Sequence, residues 1–429
     1  MALIDFKVLP GIDKQDTASG AEFRWIDCDN TRFRYGLPEK VGGWSSLVTD
    51  TIVGVARREF AFVDLDGNRY VAIGTDKFLL IYFEGQLYDI TPLKTTLTSA
   101  TLATTNTSAI CSITTGTNHN LSVGDIVLLD TVTLPVGTGY VDADFENKLF
   151  QVTSITSATV FTITQSTAAT ATVGTGGSLS VKPYEQVGPA EQSYGYGWGI
   201  DTWSSGKWGE AASASDVSLE PGLWSLSNFG QVLVATIANG KTFTWNAGDA
   251  ARLTTRASTA TSGFETTNNP TATRITLVSP TTRHLIHLGT ETTIGDPTTQ
   301  DDMFIRFSDQ EDINDYVPTA INSAGSQRLQ DGTRIIGALK AKESILVWTD
   351  NALYTMKFIG APFTFGFEQV GTNCGLIGKN AAIEIDGMAF WMSSNGFFMF
   401  DGTVKSLPCS VEDYVYDQAD TTKGQQVYA

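Results

Sequence analysis

Four carboxylates crowd one short segment, at Asp309, Glu311, Asp312 and Asp315. Two such groups flanking a sugar ring are what glycoside hydrolysis requires, so this is the candidate for acid–base chemistry. The plainer reading is a solvated acidic loop. Asp64-Leu-Asp-Gly-Asn68 offers the oxygens of a calcium loop. It lacks the distal Glu and regular spacing of an EF-hand, and it sits where a hairpin turn belongs. His284 and His287 are three apart in an expected strand, so they point to opposite faces and cannot share a metal. His119 opens an expected strand, His119–Leu129, and is read as structural. No GxSxG elbow, Walker loop or HExxH occurs. The residues therefore predict no catalytic group, no metal site and no cofactor.

Binding chemistry has two candidates. In Arg32-Phe33-Arg34-Tyr35, strand alternation puts two cations on one face and two aromatics on the other. The plain reading is a strand with one solvated face. The functional reading joins Arg24, Arg32 and Arg34 into a docking patch for an acidic partner. The second candidate is the aromatic–glycine loop Tyr194 to Trp208, with Tyr196, Trp198 and Trp203 between them. Dense aromatics stack on sugars or bases, or pack against a neighbouring subunit. Basic residues are too few here for nucleic acid, so subunit packing is preferred, with burial inside its own chain as the alternative.

The elements that would position these residues are short strands. Tyr70–Ile73, Phe78–Phe83 and Leu87–Ile90 are rich in β-branched and aromatic residues and are separated by Gly74-Thr-Asp76 and Glu84-Gly85. They predict a three-strand antiparallel meander. Similar units recur at Trp224–Thr236 with Thr242–Trp245, His284–Leu288 with Met303–Ser308, Ser344–Trp348 with Ala352–Met356, and Met388–Met392 with Gly396–Phe400. A recurring meander suggests β-propeller blades, an architecture that leaves only short, protected sheet edges. Between about 95 and 182 the chain turns Thr/Ser/Ala/Gly-rich, with a hairpin, Leu149–Ile155 and Thr159–Ile163. The meanders resume beyond it. The expected organisation is thus all-β: residues 1–94 carry the first propeller strands, 95–182 form an inserted β-sandwich or barrel, and 183–429 hold the remaining blades. Insertion at an exposed loop tip is well tolerated.

Composition narrows the functions. The chain has 429 residues, more than one core usually spans, and a formal net charge of −18. Such a balance repels phosphate, so broad attraction to nucleic acid is not expected. No apolar run approaches the roughly twenty residues of a membrane helix, and the N-terminus has no signal-peptide core. Cys28, Cys111, Cys374 and Cys409 are scattered singly and read as reduced thiols of a protein assembled in a cytoplasm.

The blocks Arg32-Phe-Arg-Tyr-Gly-Leu-Pro-Glu-Lys-Val-Gly-Gly-Trp44, Ile73-Gly-Thr with Leu87-Tyr-Asp-Ile-Thr-Pro92, Arg306-Phe-Ser-Asp-Gln-Glu311 and Leu407-Pro-Cys409 resemble the tail hub or nozzle proteins of short-tailed bacteriophages, also called packaged-DNA-stabilisation proteins. The resemblance implies a β-propeller subunit of the virion tail, a non-enzymatic structural protein assembled as a six-fold homo-oligomeric ring. That ring would sit below the portal and adaptor, contact tail fibres or spikes, and pass double-stranded DNA without sequence-specific binding or stable membrane insertion. Members of that family run on past the block at Leu407–Val415, which implies further sequence or a propeller closed with fewer blades. The alternative from the fold alone is a propeller that binds or cleaves host surface polysaccharide.

Overall fold

The computed structural model describes residues 8–48, 50–192, 220–259 and 269–429. Its architecture is nearly all β: a propeller-like ring of five blades, with a closed barrel set between the first and second. Blade one (56–89), blade three (273–328), blade four (335–372) and blade five (382–406) are four-stranded antiparallel meanders. Blade two (224–246) has three strands, and a single bridge from Thr244 to Ser258 extends it. The all-β propeller with an inserted module expected from the residues is the fold observed.

The innermost strands are Ala56–Val63, Trp224–Phe229, Thr273–Val278, Ile335–Lys340 and Ala382–Ile385. Each first strand neighbours the next around the ring. Asn380 closes the circle, accepting from Arg58 Nη1 at 3.3 Å and donating to the Arg57 carbonyl at 3.2 Å. The C-terminus reinforces this joint, because Tyr428 bridges Asn380 and the Ala429 amide donates to the Asn380 carbonyl. Blade one has one more strand than the expected meander. Ala56–Val63 is hard to see in sequence because Arg57, Arg58 and Glu59 mask its apolar end.

Large apolar groups hold the blades together. Trp224 of blade two donates its indole N–H to the Thr75 carbonyl of blade one at 3.0 Å and is fully buried. It lies so close to Gly74 that a Cβ there would meet the indole ring at 2.6 Å. Trp245 packs edge-on to Tyr70 at 5.6 Å, and Tyr70 stacks on Phe83 at 4.7 Å. Between blades four and five, Trp348 meets Trp391 at 5.4 Å. Truncating a buried tryptophan of this kind to Ala costs ~3–5 kcal/mol. Strands such as Leu285–Thr290 are buried on both faces because each blade is covered by its neighbours, so they do not alternate.

The module spans Leu97–Thr104 to Val173–Pro183, six strands closed on themselves. Its inward residues, among them Leu102, Ile113, Val127, Phe161 and Val181, form a core of their own, while Thr and Ser face out. Closure removes the sheet edges. The strand expected over His119–Leu129 begins only at Ile126, and His119 lies in the preceding loop. Two chains form the neck of the barrel: Leu93 bridges Tyr184, and Lys94 N donates to the Pro183 carbonyl at 2.8 Å.

Two small sheets precede blade one. Leu9–Ile12 pairs in parallel with Arg24–Trp25, and Thr31–Arg34 pairs antiparallel with Leu37–Lys40. The base of this arm docks on the C-terminal region: Ser410 Oγ donates to the Ile12 carbonyl, and Lys14 sits 4.9 Å over the Tyr414 ring of helix Glu412–Gln418. Among the described residues, no helix is long and apolar enough to cross a membrane.

Candidate binding surfaces: the N-terminal arm and the axial cavity

The alternation predicted for the arginine block holds for three residues. Arg32 and Arg34 are exposed and Phe33 is half-buried, 6.4 Å from the Trp25 ring. Tyr35 departs from it, because the turn holds it at φ 51° and leaves it 92% exposed. Arg24 pairs with Asp13 at 3.4 Å and Arg32 with Glu39 at 3.1 Å. Among the described residues, Arg34 has no carboxylate partner and lies 5.4 Å from the Tyr35 ring. The loop with Tyr194, Tyr196, Trp198, Trp203 and Trp208 lies outside the described residues.

The other candidates resolve into local structure. Asp309 accepts from the Ser323 amide and hydroxyl, Asp312 from the Asn314 amide, and Asp315 from the Val317 amide and Asn322. Glu311 faces Arg283 at 3.6 Å. Each of these carboxylates organises loop backbone or pairs with a cation. Asp64 accepts from the Asp66 and Asn68 amides, which closes the hairpin between the first two strands of blade one. His284 lies just before the strand Leu285–Thr290 and not in it, and bonds Thr282 and Ser323, whereas His287 within the strand bonds the Tyr316 hydroxyl at 3.0 Å. His119 is held between the Ser157 carbonyl and the Leu121 amide.

One feature of the ring was not anticipated from sequence. The five inner strands enclose a cavity of about 180 Å³ on the propeller axis. Its wall includes Arg58 from blade one, Ser225 and Ser227 from blade two, Lys340 from blade four, and Lys379 just before blade five. Among the described residues, the wall contains no carboxylate. Lys340 donates to Ser227 Oγ at 3.0 Å. Burial, with Arg58 adding repulsion, pushes Lys340 down to about 8. Lys379 is pushed down to about 7, first by burial and then by Arg58 and Arg274, with Glu220 opposing. Glu220 is spent on other partners: Arg274 grips it with two 2.8 Å bonds, and Arg334 adds one at 2.7 Å. The available sequence signal was a few cations on or beside inner strands of an acidic chain, which the missing blade-one strand concealed.

No family model matches the chain, and no curated protein matches it. Solved structures similar to it include the phage phi92 endosialidase, at 14% identity and a TM-score of 0.25 over 79% of this chain and 51% of that one. The extracellular domain of a hybrid two-component system from B. thetaiotaomicron gives 13% and 0.27 over 83% and 34%. Citrobacter koseri AztD gives 12% and 0.31 over 82% and 70%. The chain thus spans about half the length of the endosialidase and about a third of the second protein.

Proposed function

We propose that this chain is a structural subunit of a short-tailed phage tail, of the hub or nozzle type. Copies of it would form a ring that continues the DNA channel below the adaptor and portal. The observation that supports this reading is the N-terminal arm. Tyr35, Leu37, Trp44 and Leu47 are 92%, 70%, 97% and 79% exposed, on a segment built from two-stranded sheets. Sheets that small are marginal alone, and apolar groups so exposed mark a surface that a partner covers. The occupant proposed is the adjoining tail ring, with Arg24, Arg32 and Arg34 at the rim of the contact.

The test is to mix the purified chain with an isolated portal–adaptor complex and follow assembly by sedimentation and electron microscopy. Ring addition is expected, and replacing Trp44 and Leu47 with Ser should weaken it by roughly tenfold or more, about 1.4 kcal/mol. Reversing Arg32 and Arg34 to Glu should slow it further at low salt. Unchanged assembly by these variants sinks the role of the arm. A monomer that cleaves surface polysaccharide replaces the whole reading with the carbohydrate one.

A further inference from the structure

We infer that the axial cavity is a receptor site for a small oxyanion, presented either as the carboxylate of an acidic sugar or as free phosphate. This stands apart from the tail-subunit reading, since it rests only on the propeller interior.

Charge is the first observation. Three cations, Arg58, Lys340 and Lys379, line one cavity, and none of the described residues in its wall is a carboxylate. The chain as a whole carries 28 Lys and Arg against 46 Asp and Glu. Like charges removed from water repel each other and lose hydration, so such a cluster is costly until a counter-charge enters. Glu220, the carboxylate that acts on Lys379, is already shared by Arg274 and Arg334.

Unmet hydrogen bonding is the second. Lys379 Nζ is enclosed although its stem is half-exposed, and it has no hydrogen-bond partner among the described residues. The same holds for Ser225 Oγ and the Trp348 indole N–H, and all three residues line this cavity. Each of the three groups can donate a hydrogen bond. Buried donors without acceptors are rare in proteins, and a group of them around one void describes the outline of an acceptor. Water would satisfy the donors, and the cavity has room for several. Water brings no counter-charge to the cations, whereas an oxyanion supplies acceptors and negative charge together.

The experiment titrates the full chain calorimetrically with inorganic phosphate and, separately, with glucuronate, at ionic strength held constant with sodium chloride. One-to-one binding of at least one probe is expected. Lys379→Met and Lys340→Met should each weaken it by roughly tenfold or more. Without added anion, Lys379→Met should melt at a higher temperature than the parent, because it removes an unpaired buried ammonium. Glucuronate keeps its charge between about pH 6 and about pH 9, so its affinity in the parent should fall across that range as Lys379 and Lys340 lose protons. Arg58 and Arg274 face Lys379 from blades one and three and repel its charge, and Glu220 opposes them. Binding of phosphate alone, or of glucuronate alone, supports the site and identifies its source. Failure of both probes to bind above the chloride background overturns it. So does a Lys379→Met variant that binds like the parent, or one that melts lower without anion. Should Lys379→Met fail to fold, undiminished binding by Lys340→Met overturns it equally.

Discussion

Tyr184 donates a 2.6 Å hydrogen bond to Asp89, and this pair ties the exit of the barrel to the last strand of blade one. Arg256, from the loop after blade two, donates to the Tyr184 hydroxyl at 2.7 Å and to Asp89 at 3.0 Å, and its guanidinium lies 4.8 Å from the Tyr184 ring. Three parts of the chain distant in sequence meet here. Tyr184 is 1% exposed, so its hydroxyl has no water to fall back on. Tyr184→Phe is expected to cost about 1–3 kcal/mol. It should also open the neck to protease before either domain melts. Chemical denaturation with parallel limited proteolysis measures both, and an unchanged pattern denies the pair its role.

The neck also predicts that the barrel can be removed. Leu93 and Tyr184 are bridged partners, so a tight Asn-Gly turn in place of the residues between Lys94 and Pro183 spans the gap without strain. The barrel core is a separate cluster from that of blades one and two. The excised protein should therefore keep its β circular dichroism and one cooperative transition. Aggregation of the remainder would show that the propeller depends on the barrel.

These relations were legible in sequence to different degrees. Gly396–Phe400 is read directly from its composition, and Met388–Ser393 and Ile345–Thr349 nearly so, because local β-propensity and turn residues agree. Ala56–Val63 is missed because Arg57, Arg58 and Glu59 read as surface, although Arg58 lines the axis and Arg57 bonds the Ala190 carbonyl. The axial cavity is invisible for a related reason: Arg58, Lys340 and Lys379 come together only when the ring closes at Asn380. Tyr184, Asp89 and Arg256 likewise have no shared local pattern.

Packing of blade one on blade two allows a sharp test at Gly74. An added Cβ meets the Trp224 ring at 2.6 Å, and the indole is anchored by its bond to the Thr75 carbonyl. The ring cannot swing away without losing that bond. Gly74→Ala is expected to destabilise by about 1–3 kcal/mol through overpacking. The companion Trp224→Phe, which shrinks the ring and gives up the bond, should recover part of the loss in the double variant. Thermal melts of the four proteins in the cycle measure the coupling, and additive losses would show that the two residues are not in conflict.

Acid stability should report on His287. The ring is fully buried, burial pushes it down to about 3, and Arg306 adds repulsion. In the unfolded chain the imidazole takes a proton near its ordinary value of 6.5. Below that pH the unfolded state therefore binds a proton that the folded state refuses. The stability contributed by His287 is complete above about 6.5 and is lost as pH falls toward about 3, by up to about 1.4 kcal/mol per unit. His284 is also held below its ordinary value by burial, with Asp309 opposing, so it steepens the same window. Carboxylates held below their ordinary range, such as Asp301 and Asp350, act below about 3.8 and leave the upper part of the window to the histidines. His287→Gln keeps a partner for the Tyr316 hydroxyl and removes the titration. Urea unfolding from pH 7 to pH 4.5 should show a shallower decline in this variant than in the parent, whatever its starting stability. Parallel curves would mean that His287 is protonated in the folded protein.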